Sequence, residues 1–484
     1  MTMSRIRSMR GFLGSSVGVT CAAALALPLT LPATPARADS STMTSEAAAP
    51  GSTQSLPLAP LTRRRGSLGP STQTQGLARR NVRPFSLVGV IWDDPDSELN
   101  GRVQVRTRAA GTGDWSDWQD VETHNDEHAA DPDTAESASR RVHGSTAPLW
   151  VGNSNGVEVR VQAEPAEREA ADPLDEAAPE GPRERRATLP EAAALPGGLR
   201  LELVDPGGDP PAPDGTRAAG RAGGAPSGLR AKGVRAKAVH AKGAQASLPD
   251  AGGAKATVIP ALSRAETLRT YFPDGTSQRR ATPYIGPRPS IVTRHGWGAN
   301  ENLRERGFLY TKTVKAAFVH HTASGNKYSC SQVPSIIRSI YRYHVVSSGW
   351  RDIGYNFLVD KCGTIYEGRA GGVAKAVMGA HTRGFNTNSM GIAVIGSFGA
   401  TKPTDAALKA ISRLTAWKLG LYGADPRGKT YLKSAGGNLY RKGKNVRLNV
   451  ISGHRDGFAT ECPGRLLYGK LGTARTTAAK YQGR

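Results

Sequence analysis

From Pro283 onward, short apolar runs alternate with segments whose apolar residues recur at helical spacing, and this alternation constrains the fold more than any other feature. The runs are Ala316–His321, Tyr355–Asp360, Thr364–Glu367, Gly391–Phe398 and Val446–Ser452. Over 332–346, Val333, Ile336, Ile337, Ile340, Tyr341 and His344 form one stripe, with Arg338 and Arg342 off it. A second helix starts at an N-cap Thr404, carries Leu408, Ile411 and Leu414, and stops at Gly420. Helices covering a mixed sheet predict an α/β domain over 283–475, large enough for its own core, with 476–484 as a tail.

Upstream the texture differs. Phe85–Trp92 is nearly all apolar, while Val103 and Val105, and later Val157, Val159 and Val161, alternate with polar residues. Such period-two patterns predict a small antiparallel β-sandwich or barrel over 81–204, with Leu199–Val204 as a returning strand. The polar stretch Asp120–Arg141 reads as a loop. Gly152-Asn-Ser154-Asn-Gly156 fits a serine-hydrolase elbow pattern, but strand-like residues on both sides make it a hairpin turn. Residues 39–80 read as a solvated lead-in, and 205–282 as a basic Gly/Ala-rich linker. With 57 Gly, 32 Pro and 6% aromatics, such segments lack the apolar mass for a core, so disordered linkers join the two modules.

Residues 1–38 pattern as a signal peptide. Arg5, Arg7 and Arg10 precede an uncharged stretch containing Cys21–Leu27, and Ala36-Arg37-Ala38 offers a cleavage site. A retained N-terminal anchor and a lipidated Cys21 are the weaker alternatives. The expectation is a secreted protein with no transmembrane span after signal removal, since no later apolar run approaches the roughly 20 residues of a spanning helix. Cleavage would leave Cys330, Cys362 and Cys462, which in an oxidising compartment divide into one pair and one thiol with another task.

The net charge of +23 is uneven: residues 285–484 carry 31 basic and 9 acidic side chains, against 33 and 32 before them. Such a surface suits anionic cell-wall polymers or nucleic acid. Nucleic acid is disfavoured, because the linker interleaves no aromatics with its Lys and Arg for base stacking. A phosphate loop at Gly437–Asn445 is also rejected, having one residue too many and no Ser/Thr after Lys444.

Chemistry concentrates in His320-His321-Thr322, Gly453-His454-Arg455-Asp456 and Cys462-Pro463-Gly464. Two imidazoles and a thiolate form a three-ligand zinc set whose fourth position stays open for water. Equally, strand-end histidines and a buried cysteine are ordinarily structural. The residues alone leave both readings open.

These segments, with Phe318–Thr322, Asp352–Phe357, Ile365–Arg369, Gly379–His381 and Arg294-His-Gly-Trp297, resemble the peptidoglycan recognition proteins and type-2 N-acetylmuramoyl-L-alanine amidases, in unbroken order over roughly 285–475. The resemblance implies a secreted hydrolase that binds zinc through His320, His454 and Cys462 and cuts between N-acetylmuramic acid and L-alanine of peptidoglycan. It also implies Tyr355 and Thr460 as catalytic groups, and His344, Arg369, His381 and Asn386 as substrate-binding residues. His321, on the opposite strand face, is then structural. Another amidase branch uses a glutamate on the Gly391–Phe398 strand, where this chain has Ala393. Ala370-Gly371-Gly372 lacks the larger side chains with which recognition proteins read the third stem residue. Family members often tie the start of the helix to a nearby loop, which implies a Cys330–Cys362 disulfide. The alternative function is a non-catalytic wall module that binds muropeptides without cutting them.

Overall fold

The computed structural model describes residues 50–61, 74–123, 125, 127–139, 141–164, 194–209, 256–273 and 283–484. The expected signal peptide, 1–38, lies outside the described residues.

The first module is an eight-stranded antiparallel sheet made of β1 (Ser52–Pro57), β2 (Ala59–Pro60), β3 (Thr74–Trp92), β4 (Gly101–Ala109), β5 (Gln119–Val121), β6 (Gly144–Ser145), β7 (Leu149–Ala163) and β8 (Arg200–Asp205). The alternating valines work as expected: Val103, Val105, Val157, Val159 and Val161 bury one face with Phe85, Val88, Leu201 and Leu203. Two expectations need correction. Ser52–Pro57, assigned by composition to a solvated lead-in, is paired along its length with β8, so backbone hydrogen bonding outweighs the poor apolar content. Gly152–Gly156 is not a hairpin turn. It lies within β7, where Gly152 takes a positive φ of 72° and the partner strands show register shifts.

The second module has a seven-stranded mixed sheet in the order β17-β11-β14-β12-β13-β10-β9. Its strands are β9 (Val258–Ile259), β10 (Ile291–Val292), β11 (Ala316–His321), β12 (Phe357–Val359), β13 (Ile365–Glu367), β14 (Ser389–Val394) and β17 (Ile451–Gly453). A separate hairpin joins β15 (Lys429–Lys433) to β16 (Asn445–Asn449). Its helices are α1 (Arg264–Tyr271), α2 (Val333–Arg342), α3 (Asp405–Leu421), α4 (Arg465–Tyr468) and α5 (Leu471–Gln482). The Thr404 hydroxyl accepts from Ala407 N and caps α3 as expected.

α3 and α5 cover one sheet face through Ile411, Leu414, Trp417, Leu471, Ala474 and Ala478. The supposed tail 476–484 is therefore mostly helix, because Ala478 and Ala479 are needed in that core. Part of the supposed linker is also structured: Ser263 caps α1 in a capping box with Glu266, and Tyr271 packs near Trp417. Among the described residues, no helix is long and apolar enough to cross a membrane.

α2 covers the other face, and its stripe does double duty. Ile336, Ile337 and Ile340 bury Leu358 and Ala393 of the mixed sheet together with Leu87, Ile91 and Val204 of the β module. Beyond α2 a single π-helical turn, Tyr343–Ser347, sends the Tyr343 hydroxyl to the Thr146 carbonyl at 3.1 Å and the Ser347 hydroxyl to Glu202 at 2.7 Å. The two modules thus share a core, which sequence periodicity within each module does not reveal.

Candidate metal centre

β11 runs parallel to both β14 and β17, which brings its C-terminal end beside the turn that begins at His454. Strand alternation places Phe318 and His320 on the α2 side, while Ala317 and Val319 face α3. Cys462 arrives on the loop before α4. Its sulfur lies 3.8 Å from His320 Nδ1 and accepts from His321 N at 3.4 Å. The His320 and His454 rings are 4.4 Å apart. His321 turns away, its Nδ1 accepting from Phe398 N, and burial lowers its pKa to about 4.

A fourth donor joins them. His128, on the loop between β5 and β6 of the β module, lies with Nε2 3.7 Å from the Cys462 sulfur. One ligand atom from each of His128, His320, His454 and Cys462 lies within 4.8 Å of the others, and all four residues are buried. Burial, with neighbouring imidazoles adding to it, holds all three histidines well below their ordinary pKa, and burial pushes the Cys462 thiol well above its own. Both ring nitrogens of His454 and Nδ1 of His128 make no hydrogen bond. Three neutral imidazoles and a thiol with unused lone pairs, closed off from water, fit a zinc ion.

The expected substrate residues are buried too, and each already has a partner. His381 Nδ1 is 3.3 Å from His320 Nε2 and 3.0 Å from the Thr382 hydroxyl, so it orients the His320 ring from behind. His344 Nδ1 accepts from Gly354 N at 3.2 Å, and its ring stacks 4.3 Å from Trp350. Arg369 holds Glu136 through two bonds of 3.0 and 2.8 Å. Asn386 donates to Asp131 at 2.8 Å and accepts from His381 N and Thr382 N. Tyr355 sits with its ring 5.7 Å from those of His320, His344 and His128. Burial, then the charges of Cys462 and Glu127, raises its pKa well above 10 and keeps the phenol protonated. The Thr460 hydroxyl donates to Glu127 at 2.8 Å and accepts from Cys462 N at 3.1 Å. The Cys330–Cys362 disulfide is formed, and Cys462 is a free thiol.

Sequence reasoning missed Glu127, His128, Asp131 and Glu136, because a polar stretch without periodicity reads as solvated loop. One available signal is electrostatic: 120–141 carries seven acidic and two basic residues in a chain whose C-terminal part is strongly basic.

Residues 310–465 match the N-acetylmuramoyl-L-alanine amidase family, and residues 37–188 match a family described as Rv3811 N-terminal galactose-binding domain-like. Peptidoglycan-recognition protein SC1a of Drosophila melanogaster is 31% identical over 192 residues, covering 39% of this chain and 87% of that protein. Human N-acetylmuramoyl-L-alanine amidase is 32% identical over 190 residues, covering 38% of this chain and 28% of that enzyme. Among solved structures, peptidoglycan recognition protein LE in complex with tracheal cytotoxin, a monomeric diaminopimelic acid-type peptidoglycan, is 33% identical. That match covers 38% of this chain and 92% of the other, with a TM-score of 0.29.

Proposed function

Since the chain belongs to the peptidoglycan recognition protein and type-2 amidase family, we propose that it is a secreted, zinc-dependent hydrolase of the amide between N-acetylmuramic acid and L-alanine. The observation that carries this reading is the convergence of His320, His454 and Cys462 beside the protonated phenol of Tyr355. When bound, zinc supplies Lewis-acid polarisation of an amide carbonyl and a lowered pKa for water.

The chain's own groups do the rest. His381 fixes the ring plane and tautomer of His320. The Tyr355 hydroxyl donates to the carbonyl oxygen of the scissile amide as negative charge develops there. Thr460 offers a second hydroxyl beside Cys462. Arg369 and Asn386 supply cationic and amide groups for a peptide bearing carboxylates. The cationic surface of residues 285–484 favours contact with an anionic wall, which supports export and wall association.

The test is product analysis on two proteins: the intact chain, and a triple variant, His128→Ala with Asp131→Ala and Glu136→Ala, that releases the loop lying over the site. Each is incubated with purified peptidoglycan with and without a chelator, and products are identified by mass spectrometry. Free stem peptides with unbroken glycan, abolished by chelation, are expected. Glycan cleavage, chelator-insensitive release, or no release from either protein overturns the reading.

A further inference from the structure

The β5–β6 loop engages the metal set and, of the other groups assigned above, Thr460, Arg369 and Asn386. His128 reaches the metal ligands, Glu127 takes the Thr460 hydroxyl, Glu136 pairs with Arg369, and Asp131 accepts from Asn386. These contacts are buried: the Arg369 and Glu136 side chains are 5% and 2% exposed. Asp131 also accepts from the Gly384 and Asn386 amides at 2.9 and 3.2 Å, and Arg383 N donates to the Glu127 carbonyl at 2.9 Å. The loop is anchored at its base as well, where Asn125 donates to Ser145 and His143 N donates to the Ser348 carbonyl.

We propose that this loop is a built-in plug, with His128 the fourth protein ligand of the zinc and Glu136 and Asp131 occupying the peptide subsite, so that the intact chain is a latent amidase. The inference rests on the zinc-amidase reading and adds a regulatory segment and a ligand from outside the catalytic module.

Two independent lines support it. Catalytic zinc sites keep three protein ligands and an open position, whereas four protein ligands close the site. A His128 ligand therefore takes the place that water or a substrate carbonyl needs. Separately, two loop carboxylates sit on an arginine and an asparagine as the carboxylates of an acidic peptide would. The second contact does not depend on any metal. The shared core around Ile336, Leu87 and Val204 keeps the loop tethered beside the cleft, so it competes as an intramolecular ligand at high effective concentration. A substrate must displace it before hydrolysis begins.

The test uses the full chain, wild type and His128→Ala, in zinc and cobalt forms. Zinc affinity is measured by competition with a chromogenic chelator. The visible spectrum of the cobalt form is recorded with and without acetohydroxamate, which binds only an open coordination position. Stem-peptide release is measured in parallel. The plug predicts that His128→Ala weakens metal binding, admits acetohydroxamate that the wild type excludes, and raises release by about tenfold or more. Weaker metal with faster turnover is a combination that loss of a merely structural residue does not give. Should His128→Ala fold poorly, Glu136→Gln leaves the ligand residues in place but weakens the loop's hold, so His128 leaves the metal more often: it is expected to admit acetohydroxamate and raise release, with zinc bound somewhat less tightly than by the wild type. Equal response of wild type and variants to acetohydroxamate overturns the plug, as does a fall in release on removing His128. Absence of release from every protein refutes the amidase reading alone, because the cobalt spectra still judge the plug.

Discussion

Gly89 provides a test of the docking that delivers the loop to the cleft. It lies on β3, paired with Glu202 of β8, and a Cβ there would stand 2.5 Å from Cζ and 2.6 Å from Cε2 of Tyr343. Heavy atoms do not approach so closely, and the Tyr343 ring is fully buried with its hydroxyl bonded to the Thr146 carbonyl, so it has no room to retreat. Without this clash Gly89→Ala should stabilise a strand by roughly 0.5–1 kcal/mol. Overpacking costs about 1–3 kcal/mol, and a lost tyrosine hydrogen bond about 1 more. The clash wins, for a net loss of about 1–3 kcal/mol. The measurement is urea unfolding of wild type, Gly89→Ala, Tyr343→Ala and the double variant. In the Tyr343→Ala background the same glycine substitution should become neutral or mildly stabilising, a coupling that identifies the ring as the obstacle. Stem-peptide release by Gly89→Ala should rise, because loosened docking also loosens the plug. A Gly89→Ala protein at least as stable as wild type, or a cost that persists without the Tyr343 ring, refutes the reasoning.

Tyr355→Phe should keep fold and zinc affinity while losing about 10²–10³-fold in stem-peptide release, measured in a His128→Ala background; full activity there would exclude a catalytic hydroxyl. Replacing Cys330 and Cys362 by Ala opens a loop with a sequence separation of 32 and should cost roughly 3–4 kcal/mol by thermal or urea unfolding; an unchanged midpoint would show that the pair is dispensable. His344 is buried beside Arg369, and burial first, then that charge, lowers its pKa to about 3 from an ordinary 6.5. A depressed folded pKa means its contribution is present above pH 6.5 and lost as pH falls towards 3, so acid sensitivity in that window should shrink in His344→Gln; identical pH curves would contradict this.

Much of the amidase-family module is legible because its cues are local. The Ala316–His321 run, the Ile336/Ile337/Ile340 stripe and the Thr404 cap each encode their element within a few residues, and each appears where expected. Cues that depend on distant partners do not read this way. Ser52–Pro57 is a strand only because β8, nearly 150 residues later, offers it a ladder, and Ala478 is core only because Trp417 lies opposite. Gly152–Gly156 misleads for the same reason, since three small polar residues between glycines suit a turn until neighbouring strands demand continuity through a bulge.

The site divides along the same line. His320, His454 and Cys462 stand in motifs whose order carries the resemblance, so this candidate metal set is readable from the amidase-family module alone. His128 sits in a stretch with no apolar period and no glycine signature, and its i−4 neighbour His124 makes only a lone H-x3-H pair, with no third donor nearby in sequence to mark a metal site by itself. Its meaning comes from folding: β5 and β6 fix both ends of the loop, and the core that Leu87 shares with Ile336 fixes the sheet on the amidase-family module. Acidic residues then find Arg369, Asn386 and Thr460 already waiting, and their desolvation is tolerable only because each carboxylate gains a matched donor. An arrangement that requires three long-range pairings to be right at once leaves little trace in the sequence beyond a charge imbalance and one spaced pair of histidines.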